Sequence, residues 1–302
     1  MSKHAVSVSL GSSTRDKSVT IELGGVEVRA ERRGVDGDTK AFNRLMNELD
    51  GTVDALSVGG TEIAFHVDGE RLAFRSTDQL TEGVTKTPVV DGSGLKMTLE
   101  RRVFDLASTI DSNLKGVRFE HAFMNVALDR WGMALAVDEV SDSVVYGDVM
   151  FPFGIPIALK TLPAVKRTAK MLVPVAGRMP LRWLYPSGES QTVREPKFAK
   201  HFAAADLICG DFLYIGKYAP DDLSGKTVLT NTTTAANVDG LSTTGCSTLI
   251  TTTPRFDGRS FGTNLTEACI TAAVGSGRPL SIAEMNQAVD DLSIRPDVTN
   301  FS

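Results

Sequence analysis

Cysteine is scarce: Cys209, Cys246 and Cys269 are the only three, an odd number with no C-x-x-C spacing and no histidine close by. That excludes a disulfide framework and gives no zinc pattern, so the three read as core thiols. Histidine is equally sparse. His4, His66, His121 and His201 show neither H-x-x-x-H nor H-E-x-x-H spacing and read as structural. Positive charge is not in excess: 32 Lys and Arg against 37 Asp and Glu give a formal net charge of −5, which argues against a nucleic-acid partner, because phosphate neutralisation needs a basic surface. Long apolar runs are missing as well. The longest, Val149 to Leu159, is interrupted by Pro152, Gly154 and Pro156, and Met1 to Ala5 leads into a strand-like run with no apolar signal core. A soluble cytoplasmic protein without a membrane partner is the expectation.

What is present is ordinary globular material. The chain has 302 residues, 42% hydrophobic and 23% charged, enough for two domains with buried cores. Val6 to Leu10 alternates and ends in the polar turn Gly11 to Asp16. Val19 to Val28 folds about Gly24-Gly25 as a hairpin, and Asp38 caps a helix whose Phe42, Leu45, Met46 and Leu49 share one face. Val53 to Val58 is a buried-type strand, Ile63 to Phe74 a hairpin about Asp68-Gly69, and Pro88 to Val90 a short strand that enters Asp91-Gly92-Ser93-Gly94.

From Val117 the pattern changes. An apolar strand from Phe119 to Leu128, a turn at Asp129 to Met133, a helix to about Val140 and a strand from Val144 to Asp148 make a βαβ unit. Three further strands, Ala205 to Cys209, Thr227 to Thr230 and Thr248 to Thr251, each end in small polar residues, where open parallel sheets bind ligands. Lys160 to Arg182 is basic and amphipathic and reads as a solvated helix face. Ser281-Ile282-Ala283-Glu284 is a capping box opening a last helix. The fold class expected is α/β: a substrate-binding domain over 1–108, a Rossmann-like doubly wound parallel-sheet domain over 117–280, and a C-terminal helix over 281–302 packing back.

Three constellations carry chemistry. In Asp91-Gly92-Ser93-Gly94-Leu95-Lys96 two glycines bend the chain at a strand end, and Asp91 and Lys96 can face one substrate hydroxyl, with burial lowering the lysine pKa for proton transfer; the plainer alternative is a helix cap with Lys96 in water. Asp129, Arg130, Gly132 and Met133 follow the apolar strand, and Asp148 lies sixteen positions beyond Gly132, where an acidic residue would hold a ribose 2′-hydroxyl and favour NAD over NADP. Only Gly132 stands where the fingerprint asks for three glycines. Asn231 and Thr232 at another strand end, and Gly262 and Thr263 before Asn264 at a helix start, complete the cofactor set.

VSVSLGSSTRD (Val6 to Asp16), VVDGSGLKMTLERR (Val89 to Arg102), ADLICGDF (Ala205 to Phe212) and RSFGTN (Arg259 to Asn264) resemble proteins of the quinate/shikimate 5-dehydrogenase-like family, over nearly the whole chain. The resemblance implies that Ser12 and Ser13 meet a substrate carboxylate and that Asp91 pairs with a catalytic lysine; Arg15, Ser93 and Asn264 are further substrate-binding candidates. Lys86 and Lys96 are the two options for that lysine. NAD-dependent oxidation of a secondary alcohol on a small polyhydroxylated carboxylate, by a homodimer, is the leading expectation. The alternatives are a transferase or lyase acting on a folate-like or phosphorylated ligand, and a non-catalytic ligand-binding regulator.

Overall fold

The computed structural model describes residues 2–73, 75–176, 194–256 and 259–301. The chain divides into two compact units, each a mixed α/β layer structure.

The first unit runs to Thr98 and takes up the chain again at Gly262–Ser293, together with a stretch starting at Lys170. Its strands are β1 (Lys3–Ser9), β2 (Lys17–Leu23), β3 (Val26–Gly34), β4 (Ala55–Gly59) and β7 (Val89–Val90), in the order β2-β3-β1-β4-β7. All neighbours are parallel except β2 with β3, which form the hairpin about Gly24-Gly25. β5 (Ala64–Val67) and β6 (Glu70–Ala73) pair separately about Asp68-Gly69. Helix α1 (Thr39–Leu49) starts at Asp38, whose carboxylate accepts the Lys40 and Ala41 N–H groups. Strand alternation then sorts the two faces. Val6 and Val8 of β1, and Leu10 just after it, point to Phe42, Met46 and Leu49 of α1 in one apolar cluster. The other face is small: Ala5, Ser7, Ser9, Ala55 and Ser57 are all buried there. Small residues let a helix approach closely, and α11 (Thr263–Val274) packs on β1, β3 and β4. The unit also holds helices α2 (Arg75–Thr81), α3 (Ser93–Met97) and the capping-box helix α12 (Ile282–Asp291).

The second unit takes Leu99–Ala169, the described chain from 194 to Phe261, and the end of the chain from Ile294. Its sheet runs β15-β12-β11-β10-β8-β9, with β8 (Phe119–Met124), β9 (Ser141–Tyr146), β10 (Leu207–Gly210), β11 (Thr227–Thr230) and β12 (Thr248–Thr251) parallel and β15 (Asp297–Asn300) antiparallel at the edge. The order of the five parallel strands is that of a doubly wound sheet of the 2-1-3-4-5 kind, whose switch point falls between β8 and β10. β8, α5 (Trp131–Val140) and β9 are the expected βαβ unit. The remaining elements are α4 (Val103–Ser108), α6 (Met150–Phe153), α7 (Leu162–Ala176, of which the residues up to Ala169 fall in this unit), α8 (Ala199–Ala204), α9 (Phe212–Tyr218), α10 (Ala235–Ser242) and the two-stranded pair β13 (Arg255–Phe256) with β14 (Arg259–Ser260).

Two boundaries differ from the expectation. The first unit ends at Thr98 rather than near Ser108, because the helical spacing of Leu95, Leu99, Val103 and Leu106 is split between α3 and α4 by turns. Gly262–Ser293, expected to close the second domain and then cross back, belongs to the first unit throughout, where the side chains of α11 are buried along almost its whole length. The part of the basic stretch beyond Ala176, to Arg182, lies outside the described residues; in the described part, Lys170 pairs with Glu70 at 2.8 Å on the surface.

Candidate functional site

The carboxyl ends of β1, β4 and β7 lie along one edge of the first sheet, and β7 delivers Asp91 there. Gly92 follows with φ +97°, a conformation L side chains avoid, and a Cβ on it would stand 3.0 Å from the Asn264 nitrogen. The bend starts α3. Asp91 Oδ1 accepts the Ser93 N–H at 3.0 Å and its Oδ2 the Ile63 N–H at 3.1 Å. Lys96 is buried and donates to Glu62 Oε1 at 2.7 Å, so it does not point into water. Glu267, from the middle of α11, is also buried, and its Oε2 accepts the Leu95 N–H at 3.2 Å. Burial, followed by the charge of Asp91, pushes the Glu267 carboxyl up to about 8. His66 on β5 is held below its ordinary value, chiefly by burial, with Asp91 opposing. The edge therefore gathers Asp91, Glu62, Glu267, Lys96 and His66.

The N–H groups at the start of α3 are taken by carboxyls: Ser93 by Asp91, and Gly94 and Leu95 by Glu267. Ser93 contributes its backbone N–H to Asp91. Glu267 itself was missed, although it is the sole charged side chain of the helix TNLTEACITAAV. A lone carboxylate among small and apolar residues was the available signal.

Lys86 is excluded as a partner of Asp91. It is exposed and precedes β7, whereas Asp91 follows it, and its N–H donates to Asp50 at the amino end of the strand. Asn264 is brought in: its Nδ2 donates to Ser7 Oγ at 2.7 Å and Ser57 Oγ at 3.2 Å, two serines facing each other across β1 and β4. Ser12 and Ser13 sit at the end of β1 as expected, yet Ser13 gives its N–H and hydroxyl to Asp36 at 2.9 and 2.8 Å. An internal carboxylate thus occupies the donors expected to meet a ligand. Ser12 caps the short turn Ser13–Arg15, accepting the Thr14 N–H, and Arg15 is exposed beside Gly11.

In the second unit the nucleotide assignments resolve differently. Gly132 and Met133 are buried inside α5 rather than exposed in a turn. Arg130, buried, pairs with Glu100 and reaches Asp211 Oδ2 at 3.4 Å and Asp129 Oδ2 at 3.8 Å. Three carboxylates thus surround the first turn of α5, which opposes a pyrophosphate there. Asp148 stands just past β9, where the ribose-binding acid was expected, but it is buried, accepts the Leu128 N–H at 2.8 Å, and burial pushes it up to about 6. It clamps a turn. Asn231 Nδ2 donates to Asp211 Oδ2 at 3.0 Å, and Thr232 is half-buried beside it. At the switch point, Asn125 Nδ2 donates to the Asp211 carbonyl at 2.8 Å while its Oδ1 accepts the Asp211 N–H at 3.1 Å. Gly262 and Thr263 lie in the first unit, as the cap and first residue of α11, not in the nucleotide domain.

The three cysteines are free and buried, with burial pushing the thiols of Cys246 and Cys269 up to about 11 and 12. Among the described residues no group of three or more His, Cys, Asp or Glu side chains is arranged to hold a metal ion, and no helix is long and apolar enough to cross a membrane.

Similarity to solved structures is low. GanP, a glucose-galactose binding protein from Geobacillus stearothermophilus, aligns over 99% of this chain and 98% of its own at 8% identity and a TM-score of 0.39. The malic enzyme of Entamoeba histolytica aligns over 94% of this chain and 60% of its own at 11% identity and 0.39. A galactofuranose binding protein aligns over 96% and 98% at 10% identity and 0.33. No curated protein matches by sequence. Residues 4–91 match the model described as Domain of unknown function (DUF8753). Residues 94–301 match a second model, and on that match the chain belongs to the family described as Domain of unknown function (DUF8754).

Proposed function

We propose that the protein is an enzyme that moves a proton on a hydroxyl of a small polyhydroxylated substrate at the carboxyl edge of the first sheet, and that the reaction is oxidation of that secondary alcohol with a nicotinamide dinucleotide as hydride acceptor. The observation that carries this is the convergence of Asp91, Glu62, Lys96 and Glu267, from three separate chain segments, around the Asp91–Lys96 turn. Asp91 is the group to orient the hydroxyl. Lys96, held beside Glu62, supplies positive charge for the oxygen as its proton departs. The quinate-like carboxylate is the finer part of the proposal and rests on the resemblance, since Asp36 already engages Ser13.

The carboxylates around α5 favour a second reading, in which the same edge serves a non-redox lyase or transferase. Thermal unfolding of the whole protein with NAD, NADP or neither separates the two. A rise with NAD by mass action supports the oxidoreductase, and equal, negligible shifts with both dinucleotides remove it. Conversion of quinate with NAD, followed by NADH absorbance, then tests the substrate class.

A further inference from the structure

We propose that Glu267 holds the exchangeable proton of the first unit's site, in partnership with Asp91, a role that deepens the proton-transfer function just proposed and rests on it. The argument begins with charge. Three carboxyls, Glu62, Asp91 and Glu267, gather around one ammonium, Lys96, and all but Glu62 are buried. Glu62 is matched by Lys96 at 2.7 Å. Both oxygens of Asp91 accept backbone N–H groups. Glu267 is left with the N–H groups of Gly94 and Leu95 and with Asp91 beside it, deep among the small and apolar residues of α11. Burial first, and the charge of Asp91 second, oppose ionisation of Glu267, so the proton sits on Glu267. The groups facing the pair are Lys96 on α3, Glu62 between β4 and β5, and His66 on β5, kept neutral by burial.

The seat is shaped for a carboxyl. A Cβ on Gly94 would lie 2.7 Å from Glu267 Oε1, so the second glycine of the turn is what admits the group. A nicotinamide dinucleotide, when bound, would supply the hydride acceptor, so that in the oxidation direction the substrate O–H would break as its carbon gives up hydride and a C=O bond forms. The released proton passes to Asp91 and then to Glu267. In the reduction direction Glu267 gives it back. The acceptor is open only when Glu267 is ionised, so oxidation speeds up as pH rises through about 8 and reduction slows down.

The test uses the whole protein, with infrared spectra of a sample carrying carbon-13 glutamate. A neutral glutamate carboxyl band at pH 7 that disappears by pH 9.5 is expected, and it should be missing at both pH values in Glu267→Gln. Absence of the band in the wild-type protein, or its persistence in the variant, overturns the proposal. The wild-type spectrum decides alone if the variant does not fold. Turnover is a separate arm: failure of quinate to react with NAD removes the oxidoreductase and leaves the band to settle where the proton sits. If quinate does react, Glu267→Gln should lower oxidation about a hundredfold at pH 9 and flatten the profile near pH 8. An unchanged profile overturns the role.

Discussion

Gly94 and Glu267 occupy one space: the carboxyl fills the position a Cβ at residue 94 would need, 2.7 Å from Oε1. The backbone at Gly94 is not left-handed, so the conflict is one of volume alone. Gly94→Ala should therefore cost about 1–3 kcal/mol of stability in urea titration, the range for overpacking a buried site. Shortening the acid in Gly94→Ala/Glu267→Asp should recover part of that loss. A double variant as unstable as the sum of the two single changes would show that the contact is not the cause.

Lys96 and Glu62 form a pair with side chains 7% and 16% exposed. Removing one partner leaves a charge with little water around it, so Lys96→Met should destabilise by about 2–4 kcal/mol, somewhat below the cost of breaking a fully buried pair. Adding Glu62→Gln should restore at least half. Simple additivity in that double-mutant cycle would contradict the pairing.

Gly210 has φ +121°, and a Cβ there would lie 2.1 Å from Asn125 Oδ1, the group that fastens the start of α9 to the end of β8. Strain and collision act together. Gly210→Ala should cost about 3 kcal/mol or more, read from the denaturation midpoint, whereas Gly225→Ala, which is strained but meets no atom within 4 Å, should cost only about 1–2 kcal/mol.

Asp148 is pushed up to about 6 from an ordinary 3.8, by burial first. A raised carboxyl favours the folded state while protonated, below about pH 4. That contribution is lost as pH rises through about 6, above which the buried charge is a penalty of about 3 kcal/mol. Asp148→Asn keeps an acceptor for the Leu128 N–H and cannot ionise. It should stabilise the protein by about 1–3 kcal/mol at pH 7 and by nothing at pH 4, in parallel urea titrations. Equal effects at both pH values would contradict a buried charge.

Local chemistry made much of this protein legible from its sequence. Gly24-Gly25 and Asp68-Gly69 announced two hairpins, Asp38 and Ser281 two helix starts, and the apolar run after Val117 a βαβ unit, because turns, caps and periodicity act within a few residues. Asp91 and Lys96 were placed in one turn for the same reason. Tertiary structure decided the rest. Ser7 and Ser57 read as ordinary strand residues, yet their small size seats α11 on the first sheet, more than 200 positions along the chain from Ser57. That return of the chain carried Gly262, Thr263 and Asn264 out of the expected nucleotide domain and brought Glu267 beside Asp91. Arg130, expected in the cofactor set, instead lies buried against Glu100. Sequence spacing fixes which groups a turn presents, whereas burial and the charges packed around a group decide whether it keeps its proton, and those neighbours are assembled only when distant segments meet.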